Sequence, residues 1–312
     1  MRIACNHVPD YVRGFNSILD EIATVDYVEW RYDEIVREIK PYDIFLPSIG
    51  IPLDEAFFLE APNLKLIATP STGSDHINLQ LAATRGIEVL SLKDDLEFLQ
   101  TITATAENAL TLMLSTLRMI PHAFDSVKRG EWNSAMFRGH SVSGKTLGII
   151  GFGRLGQMMA EYGQGLRMNI VAADPYKTID CDYVKQVELD ELLRSSDVVS
   201  IHVHLNADTR GMIGAREMGL MKQSAIIVNT SRGALIDETR LVEMLQNGRI
   251  AGAGLDVLES ELYADIGHLP IVNYARTHQN VVITPHIGGV TYESQIKAYL
   301  RTAEKIRDWI LR

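Results

Sequence analysis

The sequence predicts an α/β protein built from two doubly wound, parallel-sheet domains. Three observations carry that expectation. Short apolar runs alternate with amphipathic helical stretches from the start of the chain, the alternation pauses in an irregular stretch over residues 130–143 before starting again, and a glycine-rich turn opens the second series. With 312 residues, and roughly 150 to a domain, the chain has room for two cores.

In order along the chain, strands are expected at residues 2–5, 25–29, 43–47, 65–69 and 88–91, each a short apolar run. Helical spacing fills the gaps over 17–24, 33–39 and 78–85. A longer helix is expected over 99–120, with Pro121 as its stop signal, linking the two series. The second series places strands at 146–150, 169–173, 198–202, 225–229, 250–255 and 281–284. Residues 292–311 then put Ile296, Tyr299, Leu300, Ala303, Ile306 and Ile310 on one helical face, which must dock on a core.

Composition bounds the partners. At 46% hydrophobic and 22% charged the chain is an ordinary globular one, and its net charge of -10 argues against nucleic acid and anionic membrane surfaces. An anionic ligand must then be met by a few placed cations. Two cysteines, Cys5 and Cys181, make no disulfide framework, so a reducing, cytoplasmic setting is expected. The first residues lack the pattern of a signal peptide. The most apolar helical stretch, 109–120, is too short to span a bilayer.

The apolar run Leu147-Gly148-Ile149-Ile150 leads into Gly151-Phe152-Gly153-Arg154-Leu155-Gly156 and then a helical stretch. In a dinucleotide site the first glycine makes the tight turn, the second admits the pyrophosphate to the backbone, and the third lets helix and strand pack closely. Asp174 ends the next strand, where a carboxylate accepts the adenosine ribose hydroxyls and repels a 2′-phosphate. NAD is therefore expected over NADP, with Lys177 keeping the latter open and a methyltransferase glycine loop standing as a further alternative. Gly139 to Thr146 imitates a phosphate-binding loop but leads into a strand, so its amides would not converge at a helix terminus.

Three strand ends of the second series carry ionisable residues: Arg232 after 225–229, Asp256 and then Glu261 after 250–255, and His286 after 281–284. Singly these read as a surface ion pair, a solvated loop charge and a packed or capping histidine. Beyond one sheet edge, together with the glycine loop, they make an anion clamp and an acid/base pair. His202 and His204 share a strand face, but two ligands are too few for a metal, and none is expected.

From about Ser71 onward the chain resembles the D-isomer-specific 2-hydroxyacid dehydrogenase family, in its phosphoglycerate dehydrogenase and hydroxypyruvate or glyoxylate reductase branch. The resemblance is carried by Gly73-Ser74-Asp75-His76-Ile77, Ala106-Glu107-Asn108-Ala109, the 144–151 run, Asn229-Thr230-Ser231-Arg232-Gly233, Leu255-Asp256-Val257 and Thr284-Pro285-His286. It implies a Rossmann-like NAD domain, 96–285, inserted into a discontinuous substrate domain, 1–95 and 286–312. It implies hydride transfer between nicotinamide and C2 of a small, anionic D-2-hydroxy or 2-oxo acid, such as hydroxypyruvate, glyoxylate or a 3-phosphoglycerate-like acid. By motif match Arg232 binds the substrate carboxylate, His286 exchanges a proton with the C2 oxygen, and Glu261 pairs with His286. Backbone amides near Thr72 and Gly73 help hold the carboxylate. Asp256 and the Thr230 carbonyl orient the carboxamide, Arg154 and Leu155 lie at the pyrophosphate, and His204 lies near the adenosine end. A homodimer is implied as well.

Departures from the family pattern narrow the substrate. Glu261 stands where a formate-oxidising relative has glutamine, and no lysine lies near Ser71 or Thr72 as phosphite oxidation would want. The arginine that phosphoglycerate dehydrogenases carry after the third strand is replaced by Leu46-Pro47-Ser48-Ile49-Gly50, although Arg138 offers a cation. Transcriptional corepressors share the fold and the three ionisable residues, so an NAD(H)-sensing binding protein is the competing expectation.

Overall fold

A computed structural model describes residues 1–312 apart from Ile49 and Tyr263, and with Ile49 part of the 46–50 segment lies outside the described residues. The chain forms two compact units, Met1–Ile102 with Val290–Arg312, and Thr103–Gly289. Both seams fall a few residues C-terminal to the 95/96 and 285/286 divisions expected from motifs. Lys297 Nζ donates to the Thr101 carbonyl (2.9 Å) and Arg301 Nε to Asp95 (2.5 Å), which ties the segment after residue 95 to the last helix. At the other seam, the amides of Ile287 and Gly288 are bonded to Asp256.

In the first unit, β1 (Arg2–Asn6), β2 (Thr24–Val28), β3 (Ile44–Leu46), β4 (Leu66–Ala68) and β5 (Glu88–Leu90) form one parallel sheet in the order β2-β1-β3-β4-β5. Side chains alternate across a strand, so each strand serves two cores. Ile3, Cys5, Ile44, Leu46, Leu66 and Ala68 face one way, toward Phe15 and the helix Tyr292–Ile310, which buries Tyr299, Ala303 and Ile306 there. The amphipathic face read from the sequence thus finds its core. Ala4, Phe45 and Ile67 face the other way, onto Ile35, Ile39, Phe57 and Phe58. Each such aliphatic or aromatic side chain contributes about 1.5–3 kcal/mol by leaving water.

In the second unit, seven parallel strands follow: β6 (Thr146–Ile150), β7 (Asn169–Ala173), β8 (Val184–Gln186), β9 (Val198–Ile201), β10 (Ile226–Asn229), β11 (Gly252–Leu255) and β12 (Val281–Ile283). Their order is β12-β11-β10-β9-β6-β7-β8. The direction of winding reverses between β6 and β9, and ligands of open α/β sheets bind at such a switch point, outside the carboxyl ends of the strands. The helix Ala104–Arg118 buries Leu112, Met113 and Leu117 against β6 and its neighbours.

Two expectations are corrected. The helix read over 99–120 is a short turn, Leu96–Leu99, followed by Ala104–Arg118, and Pro121 does not stop it. Met119 takes a left-handed backbone (φ 51°) that ends the helix, and Pro121 sits in the first turn of a new helix, Ile120–Lys128. A missing N–H costs nothing in a first turn, so proline starts this helix. The strand β8 went unread because three residues at an exposed edge carry no alternation long enough to recognise.

Candidate active site

The register of the seven-stranded sheet brings the candidate residues to one edge. Ile150 pairs with both Ala173 and Ile201, Asn229 with Ile201 and Leu255, and Leu255 with Ile283. The next residue of each strand, namely Gly151, Asp174, His202, Thr230, Asp256 and Thr284, therefore stands in one row. Parallel strands of a common register make this unavoidable.

At the switch point Gly151 has a φ of 88°, and a Cβ there would lie 2.6 Å from the His202 carbonyl oxygen. A Cβ on Gly156 would lie 2.1 Å from the Gly151 carbonyl oxygen, so helix and turn meet backbone to backbone. A Cβ on Gly153 would meet nothing within 4 Å. This is the division of labour a dinucleotide requires: one glycine for the turn, one for helix packing, and one leaving open space at the N-terminus of the helix Arg154–Gly165. Arg154 and Leu155 begin that helix, and burial lowers the pKa of the Arg154 guanidinium without discharging it near neutral pH. Asp174 accepts from the Phe152 amide (2.9 Å) and the Tyr176 amide (3.0 Å), which fastens it to the glycine loop. Its carboxylate retains lone pairs for two ribose hydroxyls. Lys177 Nζ lies 3.4 Å from the Phe152 carbonyl oxygen. The buried hydroxyl of Thr230 has no hydrogen-bond partner among the described residues, so it offers a donor and an acceptor to a bound molecule. Glycine cradle, carboxylate and orphan hydroxyl fit a dinucleotide such as NAD.

Farther along the edge, His286 Nδ1 is 2.5 Å from Glu261 Oε1, and Glu261 Oε2 accepts from the Leu258 amide at 2.9 Å. Burial works to raise the Glu261 pKa, but the His286 hydrogen bond, the Leu258 amide and the charges of His286 and Arg232 outweigh it and hold the carboxyl below its ordinary 4.5. Arg232 sits on a turn closed by the Asn229 side chain, whose Nδ2 donates to the Arg232 carbonyl (2.8 Å) and whose Oδ1 accepts from the Ser231 amide (3.0 Å). Gly233 follows, and a Cβ there would lie 2.0 Å from the Leu258 carbonyl carbon, so the Arg232 turn packs directly on the segment that leads to Glu261. Asp256, 1% exposed, accepts from Thr284, Ile287 and Gly288.

His204 is exposed, and its carbonyl accepts from Thr209. Beside it, burial pushes His202 down to about 4, leaving a neutral ring bonded to Ser200 Oγ at 2.8 Å. Among the described residues no cluster of three metal-ligating side chains occurs.

Thr72 and Gly73 belong to the first unit, in the loop after β4. Ser71 staples that loop: its hydroxyl donates to the Gly73 carbonyl (2.5 Å) and lies 3.0 Å from the Thr69 hydroxyl, and its carbonyl accepts from the Leu92 amide at 2.9 Å.

Sequence reasoning missed Asn229, Thr284, Gly288 and Ser71 as supports. Asn229 entered the sequence reading only as the first residue of the 229–233 motif, with no role of its own, yet its side chain is fully buried within the turn. The adjacent Gly288-Gly289 was the available signal for a tight approach after His286.

Comparison with known proteins follows the same lines. Residues 110–288 match the family described as D-isomer specific 2-hydroxyacid dehydrogenase, NAD binding domain. The chain is similar to the D-3-phosphoglycerate dehydrogenase of Methanocaldococcus jannaschii, at 37% identity over 93% of this chain and 54% of the relative. It is similar to the glyoxylate reductase of Thermococcus litoralis, at 36% identity over 84% of this chain and 78% of the relative. The solved structure of D-lactate dehydrogenase from Aquifex aeolicus, complexed with NAD and lactic acid, superposes with a TM-score of 0.83 at 26% identity, covering 99% of this chain and 95% of that one. The chain spans about half the length of the phosphoglycerate dehydrogenases it matches.

Proposed function

This chain belongs to the D-isomer specific 2-hydroxyacid dehydrogenase family, and from that premise we propose that it is an NAD-dependent oxidoreductase acting at C2 of a small D-2-hydroxy or 2-oxo acid. The observation that carries the reading is the His286–Glu261 pair, at 2.5 Å, on the sheet edge that also bears Arg232 and the glycine cradle.

Gly151, Gly153, Gly156, Arg154 and Leu155 hold the pyrophosphate, Asp174 the adenosine ribose, and His204 lies toward the adenosine end. Thr230 and the remaining lone pair of Asp256 take the carboxamide. When bound, NADH supplies a hydride to C2, with the protein contributing alignment and electrostatics. Arg232 grips the substrate carboxylate as a fork and draws charge from the neighbouring carbonyl; Thr72 and Gly73 amides are assigned to the same carboxylate. In reduction His286 gives the Nε2 proton to the C2 oxygen, and Glu261 steadies the positive ring beforehand. In oxidation the same nitrogen takes the proton back.

Asp174 favours NAD over NADP. Substrates with a short neutral substituent, hydroxypyruvate or glyoxylate, suit a chain that lacks a cation after β3, whereas Arg138 is the residue that would serve a phosphate. The partner is a second copy of this chain. The helix Ile120–Lys128 turns its apolar stripe outward, with Ile120, Phe124 and Val127 exposed and Trp132 and Met136 exposed beyond it, a self-complementary face for a twofold pair. Both cysteines are free and no helix among the described residues is long and apolar enough to cross a membrane, which supports a cytoplasmic assignment.

Absorbance at the reduced-nicotinamide band tests the proposal, with NADH and NADPH each offered against hydroxypyruvate, glyoxylate, pyruvate and 3-phosphohydroxypyruvate. NADH oxidation by the short acids is expected. Tight NADH binding without turnover of any of them would make the chain a sensor.

A further inference from the structure

The geometry points to Asp256 as the residue that positions His286 for proton exchange, a role distinct from its cofactor contact and resting on the reading of the site given above. Asp256 follows β11 and touches three strand ends at once. Its amide donates to the Asn229 carbonyl (2.9 Å), which anchors it to the end of β10, and its own carbonyl accepts from the His286 amide (2.8 Å). Its carboxylate takes the Thr284 hydroxyl (2.6 Å) and the Ile287 amide (2.9 Å) on Oδ1, and the Gly288 amide (2.7 Å) on Oδ2. Three consecutive amides, those of residues 286, 287 and 288, therefore converge on one residue.

Consecutive amides diverge in extended chain and converge where the backbone curls, as it does through a left-handed residue, forming a concave nest for an anion. His286 is that residue, with a φ of 54°. A side chain disfavours this conformation, so the surroundings must enforce it. The enforcing group is the Asp256 carboxylate, which fills the nest. Gly288 completes the fit, since a Cβ there would lie 2.9 Å from Asp256 Oδ2. The left-handed curl sets the direction of the His286 side chain, and that direction brings Nδ1 within 2.5 Å of Glu261. Two carboxylates thus share the histidine: Glu261 holds the ring, and Asp256 holds the backbone that aims it.

Asp256→Asn keeps the volume but turns an N–H toward the Gly288 amide, so the nest must open. Three readings are compared with the wild-type chain: steady-state reduction of the oxo acid at saturating NADH, NADH affinity by fluorescence, and the far-downfield proton NMR signal of the His286–Glu261 hydrogen bond. At saturating NADH a fall in kcat of about a hundredfold is expected, with KM for the oxo acid changed less than about threefold and the downfield signal shifted or lost, while any rise in Kd for NADH reports the carboxamide contact separately. Wild-type kcat with a raised Kd for NADH would assign Asp256 to the cofactor alone and overturn the proposal. Should Asp256→Asn fail to fold, Thr284→Val removes one donor only; about a tenfold loss of kcat with a moved signal supports the role, and an unchanged kcat and signal reject it. If the wild-type chain binds NADH but reduces no oxo acid, the enzymatic reading fails. The signal then decides the positioning role by itself, and an unmoved signal in Asp256→Asn overturns it.

Discussion

At the carboxyl edge of the seven-stranded sheet, neutral His202, Thr230 and Thr284 stand among residues that carry charge or lack a side chain, Gly151, Asp174 and Asp256, and Arg232, Glu261 and His286 follow. At the same edge of the five-stranded sheet the central strands β1, β3 and β4 run out into neutral hydrogen-bonding groups, while the outer strand β2 runs out into the exposed Glu29. Asn6 is buried and clasps Trp30 through both backbone groups (2.8 and 3.1 Å), Thr69 is buried beside Ser71, and Ser48 follows β3. Both sheets are parallel, so both line up their strand ends for the same reason. The architecture supplies the row of positions; the residues just past each strand supply the chemistry. An acid/base pair and a fixed cation act on the reacting centre directly, whereas the hydrogen bonds of Asn6, Thr69 and Ser71 hold the loops that carry them. The second unit should then govern kcat and the pH response, and the first unit KM.

The largest effect is expected at His286. His286→Ala should lower kcat about a thousandfold while NADH affinity, measured by fluorescence, stays within about twofold. Retention of a tenth of the activity would remove His286 from the proton step and erase the contrast.

Next comes stability in acid. His202 is displaced from 6.5 to about 4 by burial, so between those values the unfolded chain binds a proton that the folded one refuses. The stabilisation is complete above 6.5 and is lost as pH falls toward 4, by up to roughly 3 kcal/mol. Hydrogen exchange should show the backbone around His202 loosening as pH falls through this window. In His202→Asn the thermal midpoint should lose much of its dependence on pH there. An equal slope in wild type and variant would place the acid sensitivity elsewhere.

Glu261→Gln keeps a hydrogen bond to His286 but removes the negative charge beside the ring. Rates of reduction should fall about fiftyfold with NADH affinity preserved. Full retention of activity would reduce Glu261 to a spacer.

The smallest effect tests the neutral edge. Ser71→Ala removes the staple to Gly73, and KM for the oxo acid should rise about fivefold with kcat preserved, as expected for one neutral hydrogen bond. A loss in kcat with KM unchanged would mean that both edges take part in chemistry.

Much of the fold was legible because its signals are local. The strands of both series, the docking face of the last helix and the turn at 151–156 depend on a short period or on glycine at fixed offsets. Arg232, Glu261 and His286 were legible as ionisable residues just past strand ends. The left-handed Met119 and the helix after it were not, since proline is an equally good stop or start until the residue before it is seen in three dimensions. The supports of the site were also hidden. Thr284 and Gly288 matter only because Asp256, distant in sequence, points a carboxylate at them.

By itself the sequence determined the alternation of elements, the glycine turn and the inventory of reactive groups, all set by backbone sterics and side-chain chemistry within a few residues. Only the tertiary structure decided the order β12-β11-β10-β9-β6-β7-β8, hence where the winding reverses, and only it brought His286 to Glu261 and curled residues 286–288 around Asp256. Strand order and a left-handed histidine are both selected by non-local packing and hydrogen bonds, whose energy appears only once the distant partners are in place.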